Sequence, residues 1–177
     1  MTAGLFAQHG VFFGKCAGPS SRNPKGYFEN FWLKQIYESK AKFVDFDRKW
    51  KSQLKSEGWS GNEMWGAKCG AERWDQYWHQ VPDIEAIVCC YRPQAQIEAS
   101  RKTAGFNPNR QTVERNWGIM SDLKKRGPPC FDVWTDQMVK GDYTALLPIF
   151  DKLNMRFEKA IADNWVEPKF WRHGDAA

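Results

Sequence analysis

The stretch Ile84-Glu-Ala-Ile-Val-Cys-Cys-Tyr91 constrains this chain more than any other. Nearly continuous apolar sequence of this length is the signature of a strand covered on both faces, as in a parallel sheet flanked by helices. Its surroundings agree. Glu63–Cys69 is a short strand-like run, with a strand expected over 64–69, and Ala71–Gln80 is a helix ended by Val81-Pro82. After the apolar run come a helix over Gln94–Thr103, a longer one over Asn109–Arg126, a strand over Cys130–Thr135 and an amphipathic helix over Asp142–Asn154. Strands alternating with helices predict an α/β fold with a parallel sheet and helical crossovers, in three layers. Upstream, Thr2–His9 reads as a short helix and Ala17–Lys25 as a loop. Phe28–Ser39 is a helix with Phe28, Phe31, Trp32, Gln35 and Ile36 on one side, and a charged helix runs from Asp45 to Glu57. Residues 1–177 read as a single domain, long enough for one sizeable core and too short for two ordinary ones. Three strands make a thin sheet for so many helices, and a strand covered on both faces needs two neighbours. A missing central strand, and so an incomplete N-terminus, is the expectation.

Charge and cysteine usage narrow the function classes. The net charge of +5 fits an anionic ligand, but bases are interleaved with acids, and Lys124-Lys125-Arg126, the one run of three, suits a solvated helix end. Five cysteines without framework or Cys/His spacing predict reduced, buried thiols and no zinc, and Cys89 and Cys90 should point to opposite faces of their strand. The ten tryptophans, mostly flanked by polar residues, read as partly buried walls rather than a nucleic-acid platform. With no signal peptide and no membrane-spanning stretch, a cytoplasmic location is expected.

The chemistry concentrates where the apolar strand ends. Tyr91-Arg92-Pro93 closes the strand and opens a helix. Ligands of open α/β sheets gather at the carboxyl ends of strands, where helix starts offer N–H groups to anions. Pro93 suits the first helical position. Arg92 brings a planar fork matched to phosphate oxygens, and Ser100 lies about two turns further on. From the residues alone this is an anion site of unknown identity. A strand-end arginine serves equally well in a salt bridge, and a mid-helix serine needs no ligand.

The order of segments resembles the sulfotransferases that use 3′-phosphoadenylyl sulfate, especially the small bacterial and phage-type members. The matching pieces are Asn-Pro-Lys-Gly-Tyr-Phe-Glu at 23–29, Trp-Gly-Ala-Lys at 65–68, Tyr-Arg-Pro…Ala-Ser at 91–100, Phe-Asp-Val-Trp-Thr-Asp-Gln-Met at 131–138, and Val-Glu-Pro-Lys-Phe-Trp-Arg-His at 166–173. The resemblance implies a P-loop nucleoside triphosphate hydrolase-like architecture. It implies transfer of a sulfuryl group from 3′-phosphoadenylyl sulfate, the co-substrate, to a hydroxyl or amine acceptor, without a metal. It assigns Arg92 and Ser100 to the nucleotide 3′-phosphate, Lys68 to the reacting sulfuryl group, and Glu29 to the acceptor's proton. Other readings stay open: Lys68 as a strand-end lysine facing solvent, and Glu29 as a carboxylate favoured by a helix dipole.

The sequence departs from that family at three places. Its first strand and Gly/Ser/Thr-rich phosphosulfate loop have no counterpart before Met1–Gly10, which resembles the helix that follows them. The strand end after Lys68 reads Cys-Gly-Ala where small members commonly have Asp-Pro-Arg, and a histidine used by some members is replaced by Gly70. A chain so built is expected to bind nucleotide weakly and to turn over little. The alternative is a non-catalytic nucleotide- or nucleic-acid-binding protein on the same scaffold. The acceptor stays open among sugar, lipid, protein and small phenol.

Overall fold

The computed structural model describes residues 1–20, 23–39, 44–103 and 110–168. It is a mixed α/β chain, mostly helical, whose described residues divide into two compact units, one ending at Ile84 and the other beginning at Glu85.

The first unit is built around α3 (Phe46–Ser56), which follows α1 (Thr2–Gln8) and α2 (Phe31–Ser39). Phe46, Trp50 and Leu54 recur every four residues, so they share one face, and all three are fully buried. Trp50 corrects the reading of the tryptophans as partly buried walls: the lysines at 49 and 51 flank it in sequence but project about 100° away around the helix. Trp32 of α2 stacks on Trp50 at 5.9 Å, and Tyr77 stacks on Phe46 at 5.0 Å. Leu33, Ile36, Tyr77 and Val81 complete the cluster. The buried face of α2 therefore carries Leu33 and Ile36, while Phe31 and Gln35, expected on the same side as Ile36, are exposed. Phe28, with φ of +54°, precedes the helix.

No strand forms over 64–69. That segment makes a single parallel bridge, Trp65 to Phe12, with Phe12 N–H donating to the Met64 carbonyl and Gly66 N–H to that of Phe12. Gly66 explains the close approach, because a Cβ there would meet the Phe13 ring at 2.6 Å. The helix expected over 71–80 is shorter too: α4 (Ala71–Trp74) is followed by a 3₁₀ turn at Trp78–Gln80.

The second unit holds β1 (Ile87–Tyr91), α5 (Gln94–Thr103), α6 (Arg110–Arg126), β2 (Cys130–Trp134), α7 (Thr135–Val139), a 3₁₀ turn at Thr144–Leu146, α8 (Leu147–Lys152) and α9 (Lys159–Trp165). The strands pair in parallel, Ile87 opposite Cys130 through Tyr91 opposite Trp134, and α5 and α6 make the crossover. Among the described residues the sheet has these two strands, so β1 has one partner rather than the two expected, and Cys89 is its buried residue. Cys89 is buried and Cys90 exposed, as alternation along a strand requires. Cys90 thus departs from the expectation of buried thiols, and all five cysteines are free. Lys124, in the basic end of α6, lies over the Tyr91 ring at 5.2 Å and pairs with Asp132. The segment expected to be one helix from 142 to 154 is the 3₁₀ turn plus α8, and α9 was not expected. Among the described residues no helix is long and apolar enough to cross a membrane.

Candidate functional site

In the first unit the chain brings Glu29 and Lys68 together. Lys68 Nζ stands 3.2 Å from Glu29 Oε1 and donates to the Tyr27 carbonyl at 2.6 Å, a contact across 41 residues. Both side chains are partly open to solvent, so the pair contributes about 0–1 kcal/mol to stability. Its meaning is positional: one carboxylate and one carbonyl oxygen hold the ammonium in the wall of a cleft of about 220 Å³.

Asn30, the buried residue beside Glu29, sets this geometry, and reading the sequence did not single it out. Its Oδ1 accepts from the N–H groups of Trp32 at 2.9 Å and Leu33 at 3.3 Å, capping the first turn of α2. Its Nδ2 donates to the Phe13 carbonyl at 3.2 Å and to Glu57 Oε2 at 2.8 Å. The same Glu57 oxygen accepts from Lys15 N–H at 2.7 Å, and Glu57 Oε1 accepts from Gln53 Nε2 at 2.6 Å. Gly14 makes room for this knot. Its φ is +69°, and a Cβ there would overlap the Glu57 carboxylate. An asparagine directly before the apolar Phe-Trp-Leu is a capping signal that could have revealed Asn30. Nothing local in the sequence connects it to Glu57.

Two thiols adjoin the pair, and neither is poised to react. Burial, reinforced by the Glu57 charge, pushes the Cys16 thiol up to about 11, although Lys68 acts in the opposite sense. Burial also pushes Cys69 up to about 11, against the influence of the Tyr37 hydroxyl and Arg73. Both stay protonated at neutral pH, so they supply neither nucleophile nor base. His9 bonds back to the Leu5 carbonyl at 2.9 Å at the end of α1, and His79 is exposed. His173, with the rest of the 169–177 tail, lies outside the described residues, as do positions 21–22 of the Ala17–Lys25 loop and residue 109 of the helix expected from there.

In the second unit Arg92 leaves the carboxyl end of β1 and α5 begins two residues later. The Pro93 carbonyl accepts from Gln96 and Ile97 N–H, so Pro93 caps the helix, one position earlier than expected. Arg92 Nε reaches Gln96 Oε1 at 3.4 Å. Gln96 and Ser100 are four apart on α5 and share a face, while Arg92 lies ahead of the helix and reaches only Gln96 among them. Partial burial lowers the Arg92 pKa, and the Asp136 carboxylate opposes that shift. Asp136 stands in the first turn of α7, after β2, and its Oδ1 is buried without a hydrogen-bond partner. An acid just past a strand end was legible in Trp-Thr-Asp, but its approach to Arg92 depends on strand register. Thr135 Oγ1 donates to the Tyr91 carbonyl at 3.0 Å, tying the two strand ends together, and Trp134 stacks on Tyr91 at 5.3 Å.

Chemically, the first unit presents an acid and an ammonium within one hydrogen bond of each other. The second presents a guanidinium at a strand end that opens a helix. Among the described residues no group of three or more His, Cys, Asp or Glu side chains is disposed to hold a metal ion. Compared with known protein families, with curated proteins and with solved structures, the chain matches none.

Proposed function

We propose that this chain is a sulfotransferase-like protein of the P-loop nucleoside triphosphate hydrolase-like architecture. It moves a sulfuryl group from 3′-phosphoadenylyl sulfate to a hydroxyl or amine. The observation that carries the reading is the Glu29–Lys68 pair at 3.2 Å. Sequence resemblance selected the two residues separately, for the two charges that sulfuryl transfer has to manage, and they share one cleft.

In the proposed reaction the acceptor oxygen or nitrogen forms a bond to sulfur as the bond from sulfur to the bridging phosphate oxygen breaks. Glu29 takes the acceptor's proton. Lys68 opposes the negative charge growing on the bridging oxygen, leaving adenosine 3′,5′-bisphosphate. The resemblance assigns the 3′-phosphate to Arg92, at the head of α5 where the helix start adds N–H groups, and to Ser100 further along the same helix. The Arg92–Gln96 contact, and the helix face that Gln96 shares with Ser100, support that assignment.

Thermal denaturation with adenosine 3′,5′-bisphosphate and with AMP tests the reading. Stabilisation by the bisphosphate alone, lost in Arg92→Ala, is expected. An equal response to both nucleotides, or none, overturns the 3′-phosphate assignment, and the equal response favours a general nucleotide- or nucleic-acid-binding protein.

A further inference from the structure

The Glu29–Lys68 cleft does not end at the pair. Tyr37 and Arg73 line it and also line a second cleft of about 290 Å³ bounded by Glu72 and Gln76. Each is smaller than the roughly 300–1,000 Å³ of an ordinary small-molecule site, whereas the two side by side are not. We propose that this double cleft binds a neutral, polyhydroxylated molecule, such as two successive sugar rings of an oligosaccharide, and that this is the acceptor.

Three observations select that class. First, the charged wall residues are Glu29, Glu38 and Glu72 against Lys34, Lys68 and Arg73, three of each sign. Lys34 pairs with Glu38 and Lys68 with Glu29, so the walls present no net field to draw in an anionic ligand. Second, a lipid chain would strip water from these charges and return no hydrogen bond, at a cost per group that apolar contact does not offset. Third, the aromatic surface is already taken. Arg73 covers the Tyr37 ring at 5.0 Å and Tyr77 packs against it at 5.9 Å, which leaves no free ring face to stack a flat phenol.

What the walls do offer is both kinds of hydrogen-bonding group in close alternation. The carboxylates accept, Arg73 and the lysines donate, and the Gln76 amide does both. Neighbouring hydroxyls on a sugar ring, each a donor and an acceptor, match such a wall. Sulfuryl transfer then requires one of those hydroxyls to face Glu29. Only this last step rests on the proposed reaction; the binding does not.

The test is saturation-transfer NMR on the full chain. The probes are the neutral β-1,4-linked tetramers of glucose, mannose and N-acetylglucosamine, the anionic α-1,4-galacturonate tetramer, and 2-naphthol. Transfer to at least one neutral tetramer is expected, with little to the galacturonate or the naphthol. The double variant E38K/E72K, which leaves one acid among five bases, should shift preference towards the galacturonate tetramer by tenfold or more. A misfolded variant cannot produce that gain. No transfer to any neutral tetramer, a stronger response to naphthol or galacturonate in the unmodified chain, or an unshifted preference in a folded E38K/E72K overturns the proposal. Adenosine 3′,5′-bisphosphate binding, measured separately, reads the sulfuryl-transfer assignment. Tetramer binding without nucleotide binding defeats that assignment and upholds the cleft, and the reverse result does the opposite.

Discussion

Glu29 in the first unit and Arg92 in the second are held in place by different means. Glu29 sits in an irregular segment whose partners come from afar: Lys68, and through its neighbour Asn30 the carbonyl of Phe13 and the carboxylate of Glu57. Arg92 is placed by what adjoins it, a strand that ends and a helix that starts, with Gln96 one turn along. A site assembled from distant side chains tolerates little loss in its core. One carried on a strand-to-helix step depends on the register of its sheet. Substitutions separate the two modes.

The largest effect is expected at the centre of the first unit. Trp50→Ala or Phe46→Ala empties a fully buried site and should cost about 3–5 kcal/mol, read as lost amide protection over 46–56 in hydrogen exchange. Protection unchanged there would mean that α3 is not held by this cluster.

Asn30→Ala comes next, at about 2–3 kcal/mol, because it removes a helix cap and leaves the Glu57 carboxylate short of a donor. Urea titration measures it. Val133→Ala, in the buried middle of β2, should cost about 2 kcal/mol and weaken protection in β1 and β2, which is the counterpart test of register.

Alkaline pH acts through the thiols of the first unit. The folded pKa values of Cys16 and Cys69 lie near 11, above the ordinary value of 9.0. The folded chain therefore keeps protons that the unfolded chain releases, and this stability is complete below pH 9 and lost as pH rises towards 11. The melting temperature should fall across that window, and Cys16→Ser with Cys69→Ser should flatten the fall.

The smallest stability effect is at the pair itself. Lys68→Met should change stability by about 1 kcal/mol or less, since the ammonium is partly solvated. In a sulfuryl-transfer assay it should lower kcat far more than it changes the acceptor KM. A large loss of stability would mark Lys68 as a structural residue.

β1, α5 and β2 were legible because their signals are local: an apolar run, a proline, and a pair of prolines ahead of β2. The absence of a strand at 64–69 was not, since that segment's alternation says nothing of its partner, and among the described residues its one bridge is with Phe12, far back in the chain. Glu29 and Lys68 were legible as residue types in familiar surroundings. Asn30 and Glu57, which set Glu29's place, were hidden because an asparagine announces a cap and not the carboxylate its amide will meet. Asp136 was visible as an acid, but its approach to Arg92 follows from the alignment of Tyr91 with Trp134.

That alignment also sets a timetable. Between Tyr91 and Cys130 the chain makes α5 and α6, helices that form from near neighbours, whereas the strands must close a loop spanning both. Helix formation should come first and pairing late. On the ribosome, the Thr135 hydroxyl that fastens the end of β1 is synthesised more than forty residues after Tyr91. The strand end carrying Arg92 acquires its final shape only after β2 has emerged, so the anion binding proposed for it should begin, in a growing chain, as a step rather than gradually.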